Sequence, residues 1–377
     1  MRNKNFLIYT PVSCWHEPPR ARHQVANELK KEGAVYFVER NRVGMHRLEM
    51  KQVEPNVFVL TPYFWMHYKV RYRTQGLNEA YHNWLLTRIQ ALHVPFDLVL
   101  NFDFTAPAVT AFFDNVIFYS VDDNVGFGNF NPAFINRYHT HTEKLAAQNA
   151  KMCIVTSDYM HSKLTPHNPL THVVPLGAPP VTFGDIRPPR KKEGAPVLGL
   201  VGYLDSNLDY TLLGTLLEKY KVVFIGPANK SNRKRLSRYP NAVLAGTKTG
   251  DDLYRCLQEV DVCIAPYDES KINKGATPNK MWLYLAMGKP AVVTNIPNIR
   301  NWHFEDKLVY KCDNADFVAT CMQAFTDDTI ELVHKRIELS KQNSWSSRIN
   351  RVKELYSQRQ VLSEHITLAS SDQIVLS

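Results

Sequence analysis

The segment Thr277-Pro278-Asn279-Lys280-Met281-Trp282-Leu283-Tyr284-Leu285-Ala286-Met287-Gly288-Lys289-Pro290 carries the most specific chemical signal in the chain. It opens on a capping residue type followed by proline, whose fixed φ suits a first helical position, and closes on Gly and then Pro. It therefore predicts a helix over 278–287 with Thr277 at its cap. A lysine in the first turn opposes the helix dipole unless an anion sits there, so Lys280 points to a phosphate-bearing ligand, with simple solvent exposure as the competing reading. Three turns suit the same ligand. Gly202-Tyr203-Leu204-Asp205, Gly226-Pro227 and Gly246-Thr247-Lys248-Thr249 each follow an apolar run and put small or polar residues where a ligand can approach backbone. Simple turn formation explains each glycine taken singly. Asp103, Asp122 and Asp123 end apolar runs and are candidates for a general base, with capping of the following turn as the competing role. His16 and Glu17, after the first apolar run, are alternatives for acceptor binding or proton transfer.

These residues need strands that end where they stand. Strand-like runs occur at 5–10, 34–39, 57–60, 97–102, 116–121, 152–156 and 171–174. Between the first two, Val25 and Leu29 stand four apart in a helical pattern over 22–31 that Gly33 terminates, and Ser157 suits the cap of another helix. Residues 177–196 contain five prolines and no periodic apolar face, as an interdomain linker would. A second series follows, with strands at 197–201, 221–225, 242–245, 261–265 and 290–294 and helices near 209–220, 250–259 and 278–287. Alternation of this kind predicts an α/β fold with parallel sheets. The expected organisation is an N-terminal domain over 1–176, the linker, a C-terminal domain over 197–344, and a terminal helix with a tail over 345–377. Trp345, Ile349, Val352 and Tyr356 keep helical spacing; from Leu362 onward the period weakens and a loose tail is expected.

Composition excludes several classes. An apolar share of 44% over 377 residues is that of a globular chain, not a disordered or collagenous one. No apolar run approaches the ~20 residues that span a bilayer, and Met1–Asn5 leads into a short strand instead of a secretory core, so a cytoplasmic protein is expected. Six scattered cysteines without a C-x-x-C spacing read as reduced and structural. The +9 net charge favours an anionic partner, whether a nucleotide diphosphate, an anionic membrane surface or nucleic acid, and charge alone does not choose among them. No nucleic-acid reader motif is visible. An oxidoreductase is disfavoured because Gly126-Phe127-Gly128-Asn129-Phe130-Asn131 lacks the last glycine of a dinucleotide fingerprint.

The runs Asp261–Tyr267, Pro278-Asn279-Lys280 and Tyr284–Val293 resemble the donor domain of GT-B glycosyltransferases, especially bacterial enzymes of exopolysaccharide and teichuronic-acid type. Arg20, Arg22 and His23 entering the first helix, Tyr119–Asp123, Val174–Gly177 and Ser344-Trp345 extend the resemblance more weakly. It implies two Rossmann-like domains facing each other across a cleft, with the C-terminal helix returning toward the N-terminal domain. It also implies a nucleotide diphosphate sugar as donor on the C-terminal domain and a glycan or lipid-linked acceptor on the N-terminal one. Lys280 would contact the donor phosphates, Gly202 and Tyr203 would border the cleft, and Thr247 and Lys248 would lie near the nucleobase. Gly226, Pro266, Tyr267, Thr277, Pro278 and Asn279 complete the implied donor set. The Tyr119–Asp123 run is similar to the segment bearing the catalytic aspartate in membrane-associated glucuronosyltransferases, which favours Asp123. No metal or cofactor is implied.

One departure is chemical. Many retaining members carry two glutamates eight residues apart, the second of which binds the nucleotide ribose; here those positions hold Gly275 and Leu283. The Glu269–Lys274 stretch could offer a substitute carboxylate. An inverting enzyme would use an aspartate base, whereas a retaining one would pass the proton to the departing diphosphate, and the sequence leaves both open. A catalytically silent binding or scaffold protein and a sugar-nucleotide epimerase are the alternative functions. Residues 63–73, Tyr-Phe-Trp-Met-His-Tyr-Lys-Val-Arg-Tyr-Arg, mix aromatics with three basic residues and suit a lipid headgroup surface, with an ordinary half-buried loop and helix start as the competing reading.

Overall fold

The computed structural model describes residues 4–127, 131–181, 188–190, 193–204, 207–268, 275, 277–300 and 302–374, with side chains omitted for 127 and 360–374. The chain divides into two units, Met1–Leu176 with Trp345–Ser377, and Gly177–Ser344.

The first unit is built on β1 (Lys4–Tyr9), β2 (Gly33–Val38), β3 (Arg42–Val43), β4 (Arg47–Glu54), β5 (Val57–Phe64), β6 (Leu98–Asn101), β7 (Val116–Ser120), β8 (Met152–Val155) and β9 (Thr171–Val173). Along the sheet the order is β3-β5-β2-β1-β6-β7-β8-β9, with β4 also pairing β5. Every pairing is parallel except β4 with β5, and β1, β6, β7 and β8 are apolar throughout their buried centres because helices cover both faces. The order reverses between β1 and β6. That is the switch point at which connections leave for opposite faces and open a crevice at the strands' carboxyl ends.

Helix Ala21–Leu29 follows β1 and packs against the terminal helix, Trp345–Ile374, so the C-terminal helix belongs to the N-terminal unit. Trp345, Ile349 and Val352 are buried on its inner face, and Lys353 pairs with Glu32. Helix continues to Ile374, where a loose tail was expected from Leu362.

The second unit contains β10 (Leu198–Val201), β11 (Val222–Ile225), β12 (Ala242–Gly246), β13 (Val262–Ala265), β14 (Ala291–Thr294) and β15 (Val309–Cys312), all parallel, in the order β12-β11-β10-β13-β14-β15. This is the doubly wound nucleotide-binding order, with its switch point between β10 and β13. The two strands pair at only two positions, Leu198↔Val262 and Gly199↔Cys263, and then part. Tyr284, fully buried on helix Lys280–Ala286, fills the fork: its hydroxyl accepts from Val201 N at 3.0 Å and donates to Ile264 O at 3.2 Å. A side chain thus replaces the ladder bonds the diverging backbones cannot make.

Candidate functional site

In the second unit, the loops leaving β10 and β13 converge on one lysine. Gly202 follows β10 with φ +117, a conformation that L side chains rarely adopt, and a Cβ there would stand 3.5 Å from Lys280 Nζ. Gly226, after β11, lies so close to Gly202 that a Cβ would meet the Gly202 carbonyl oxygen at 2.0 Å. Lys280 Nζ lies 5.3 Å from the centroid of the Tyr267 ring, a cation–π distance. Backbone glycine, an aromatic face and an ammonium therefore surround one point at the carboxyl edge of the switch.

Tyr267 is fixed by a ring of polar contacts. Its N–H donates to Thr294 Oγ1 at 2.9 Å, and its carbonyl accepts from Asn314 Nδ2 at 3.0 Å. Thr294 Oγ1 and Asn314 Oδ1 lie 2.8 Å apart, and Asn314 Nδ2 also reaches Asp209 Oδ2 at 2.8 Å. Asp209 caps helix Tyr210–Lys219 through Thr211 N and Leu212 N. Thr294, Asn314 and Asp209 were not among the sequence candidates. The available signal was the position of Thr294 at the end of the apolar run 290–294, the same rule that selected the other loops.

Around Lys280 the helix is shorter than the sequence implies. It runs Lys280–Ala286, Asn279 is its cap in a helical conformation without a side-chain bond, and Pro278 and Asn279 form a preceding turn through Met281 N and Trp282 N. The cap therefore sits two residues later than Thr277. Pro278 is buried, Asn279 exposed and Thr277 half-buried, while Pro266 is buried directly after β13. Tyr203 is exposed beside Gly202. Thr247 and Lys248 are exposed beyond β12, at the far end of the sheet from the β10–β13 fork. Gly275 and Leu283 are both buried, so neither position presents a polar group to a ribose. The suggested carboxylate at Glu269 lies outside the described residues, as does Asp205.

In the first unit the carboxyl edge holds the aspartates in three different settings. Asp103 is buried; Thr105 N and Thr105 Oγ1 donate to its Oδ1 at 2.9 and 2.8 Å, and burial raises its pKa. Asp123 is also buried, accepting from Gly126 N at 2.9 Å and Lys163 Nζ at 2.7 Å. Lys163 reaches Glu143 Oε2 at 2.6 Å as well, so Asp123 belongs to a structural carboxylate–ammonium–carboxylate chain and caps the Asn124–Phe127 turn. Asp122 is different. It is half-buried, its carboxylate makes no hydrogen bond among the described residues, and burial lifts its pKa against the opposing pull of Arg22 and Arg20.

Arg22 is half-buried and donates from Nη1 to Thr10 Oγ1 at 2.8 Å. The loop after β1 is held from below by His23: its Nδ1 accepts from Arg20 N at 3.1 Å, which leaves Nε2 to donate to Cys14 O at 2.9 Å. Burial lowers the His23 pKa, in keeping with that neutral tautomer. His16 projects from this loop into solvent, and Glu17 is engaged by Ser13 and by Arg20 at 3.3 Å.

Two sheets of this order on one chain are the GT-B architecture. Residues 196–328 match the family described as glycosyl transferases group 1. Over 220 residues the chain is 26% identical to a protein of Bacillus subtilis (strain 168), TuaH, described as a teichuronic acid biosynthesis glycosyltransferase; the match takes in 53% of this chain and 55% of that relative's length. Among solved structures, sucrose-phosphate synthase from Thermosynechococcus elongatus superposes with a TM-score of 0.70 at 13% identity, covering 96% of this chain and 100% of that one. The catalytic domain of starch synthase IV from Arabidopsis thaliana, bound to ADP and acarbose, superposes with a TM-score of 0.67 at 10% identity, covering 95% and 99%. The chain has the GT-B fold and resembles bacterial polysaccharide glycosyltransferases.

Proposed function

We propose that the protein transfers a sugar from a nucleotide diphosphate sugar to a glycan or lipid-linked acceptor in cell-surface polysaccharide synthesis. One observation carries the reading: Gly202, Tyr267 and Lys280 converge at the β10–β13 fork, where a doubly wound sheet takes nucleotides. There the diphosphate lies against backbone unshielded by Cβ atoms, Lys280 leaves the Tyr267 face to neutralise it, and the same charge stabilises the diphosphate as the bond to the sugar breaks. Leu283 and Gly275 leave the ribose without the usual carboxylate, so the phosphates supply a larger share of donor affinity.

On the acceptor side the proposed base is Asp122. Asp123 is buried and its Oδ1 accepts from both Lys163 Nζ and Gly126 N, which holds it in a structural ion pair, and Asp103 is enclosed. Asp122 would take the proton of the acceptor hydroxyl as its oxygen attacks the anomeric carbon and the nucleoside diphosphate departs. The TuaH relative supports a surface-polymer acceptor. Exposed apolar and basic side chains at the tip of β3–β5 support attachment to an anionic membrane surface.

The decisive test is thermal stabilisation by UDP, GDP, ADP and their sugars, comparing the native chain with Lys280→Ala. A shift with one base, lost in the variant, is expected. A well-folded protein that shifts with none of them would instead favour a catalytically silent binding protein, in line with the missing glutamates.

A further inference from the structure

The free edge of the second sheet carries a feature the transfer reaction does not use. Beside β15 runs an open groove of about 500 Å³ whose walls include Trp302, Phe304 and Tyr310, with His303, Asp306 and Gln323 on its rim. Five contacts hold the aromatic walls in place. Lys311 Nζ donates to Trp302 O at 2.8 Å and Arg300 O at 3.1 Å, pinning the turn that carries Trp302. Trp302 stacks at a tilt on Trp282 of the Lys280–Ala286 helix, ring centres 5.7 Å apart, and Phe304 meets it edge-on at 6.0 Å. Tyr310 is tied through its hydroxyl to Asp327 at 3.3 Å.

Apart from Asp306, the charged side chains around the groove are engaged. Glu305 pairs with Lys335, Lys307 with Asp327 at 3.6 Å, and the Lys311 ammonium on backbone carbonyls. What faces an incoming ligand is three half-buried aromatic rings, Trp302, Phe304 and Tyr310, and three rim side chains, His303, Asp306 and Gln323, that make no hydrogen bond among the described residues. A phosphate or nucleotide finds no unpaired cation there, and a purely apolar ligand would strand the rim groups. A sugar ring satisfies both halves, since its C–H face lies on an aromatic ring while its hydroxyls reach donors and acceptors at the perimeter.

We propose that this groove is a second binding site on the C-terminal unit, taking an uncharged oligosaccharide chain. Through Trp302 and Trp282 it abuts the helix that bears Lys280, so a chain held there is anchored next to the donor unit's own machinery.

The test is calorimetric titration of the full chain, without nucleotide, against neutral gluco-, galacto- and manno-hexaoses, with a hexagalacturonate as the charged comparator. At least one neutral hexaose is expected to bind and the charged one to bind more weakly. Trp302→Ala should weaken binding by about two- to tenfold, a ring stack being worth roughly 0.5–1.5 kcal/mol, while Trp302→Phe retains most of it. Because Trp302 also packs on Trp282, the exposed rim variant Gln323→Ala is run beside it; it should fold normally and weaken binding severalfold. No neutral hexaose binding, unchanged binding in both Trp302→Ala and Gln323→Ala, or a preference for the charged comparator would each overturn the proposal. Donor binding is scored separately with Lys280→Ala, so loss of one reading does not carry the other with it.

Discussion

Asp122 and Asp123 are chain neighbours with opposite surroundings, and the difference decides what each can do. Asp123 faces Lys163, which also holds the buried Glu143; burial lowers the Lys163 pKa, but Glu143 and Asp123 outweigh it, and the ammonium titrates above its ordinary value. Replacing Lys163 with Met would leave two carboxylates enclosed together, so we expect a loss of about 3–5 kcal/mol, read by denaturant titration of the full chain. Asp122 keeps its oxygens available with its pKa raised by burial. As a base it must be ionised, so its contribution appears as pH rises through that raised pKa and is lost below it. We expect kcat in the native chain to fall on the acid side at a pH above the ordinary carboxylate value of about 3.9. Asp122→Asn should lower kcat by about 10²–10⁴ while leaving nucleotide binding unchanged. A full-rate Asp122→Asn enzyme would assign the proton to the departing diphosphate.

At the scale of elements, the fork between β10 and β13 is the feature on which the proposed donor site depends. Removing the Tyr284 hydroxyl strands the buried Val201 N–H and Ile264 carbonyl, so Tyr284→Phe should cost about 1–3 kcal/mol, with donor affinity falling as the Gly202 loop loosens. The measurement is paired: a melting curve, and nucleotide titration at a temperature where the variant is folded. Unchanged affinity would mean that the fork is held open by packing alone.

The strands that form this fork were legible in the sequence because both faces of each are buried, making Leu198–Val201 and Val262–Ala265 short apolar runs ended by Gly or Pro. The edge was not. β4, Arg-Leu-Glu-Met-Lys-Gln-Val-Glu, pairs antiparallel at a solvated margin, so its composition reads as polar surface. β15 is four residues of mixed character, and with it went any view of the groove beside it. Within the site, Lys280 and the glycine turns were visible as local motifs. Thr294, Asn314 and Asp209 act together only through bonds spanning 20 to 105 residues, which no local pattern encodes.

For the molecule as a whole, the +9 net charge matters where it gathers around apolar side chains. Residues 63–73 divide between the two readings: Phe64 is in the core and Arg71 is fully buried, bonded to Asn41, Asn78 and Pro11 O, so one of the three basic residues is structural. The strand before them compensates. Val43 pairs with Phe64, and Val43, Met45, Trp65 and Val70 are 60, 85, 55 and 53% exposed among exposed Arg40, Arg42, Arg47, Lys69 and Arg73. No helix of the described residues is long and apolar enough to cross a membrane, and this surface is where we expect peripheral attachment to be tested. Five basic side chains at about 1 kcal/mol each near an anionic leaflet give only sub-millimolar binding, which makes the apolar side chains decisive. We therefore expect the chain to float with phosphatidylglycerol-containing vesicles at low salt, to be released at about 0.5 M salt as screening shortens to a few ångströms, and to stay unbound in neutral vesicles. A Met45→Asp, Trp65→Ala double variant, altered only at exposed positions, should remain folded and lose flotation even at low salt. Flotation that survives the double variant would assign binding to the dispersed charge, and failure of the native chain to float at low salt would detach the acceptor from the membrane altogether.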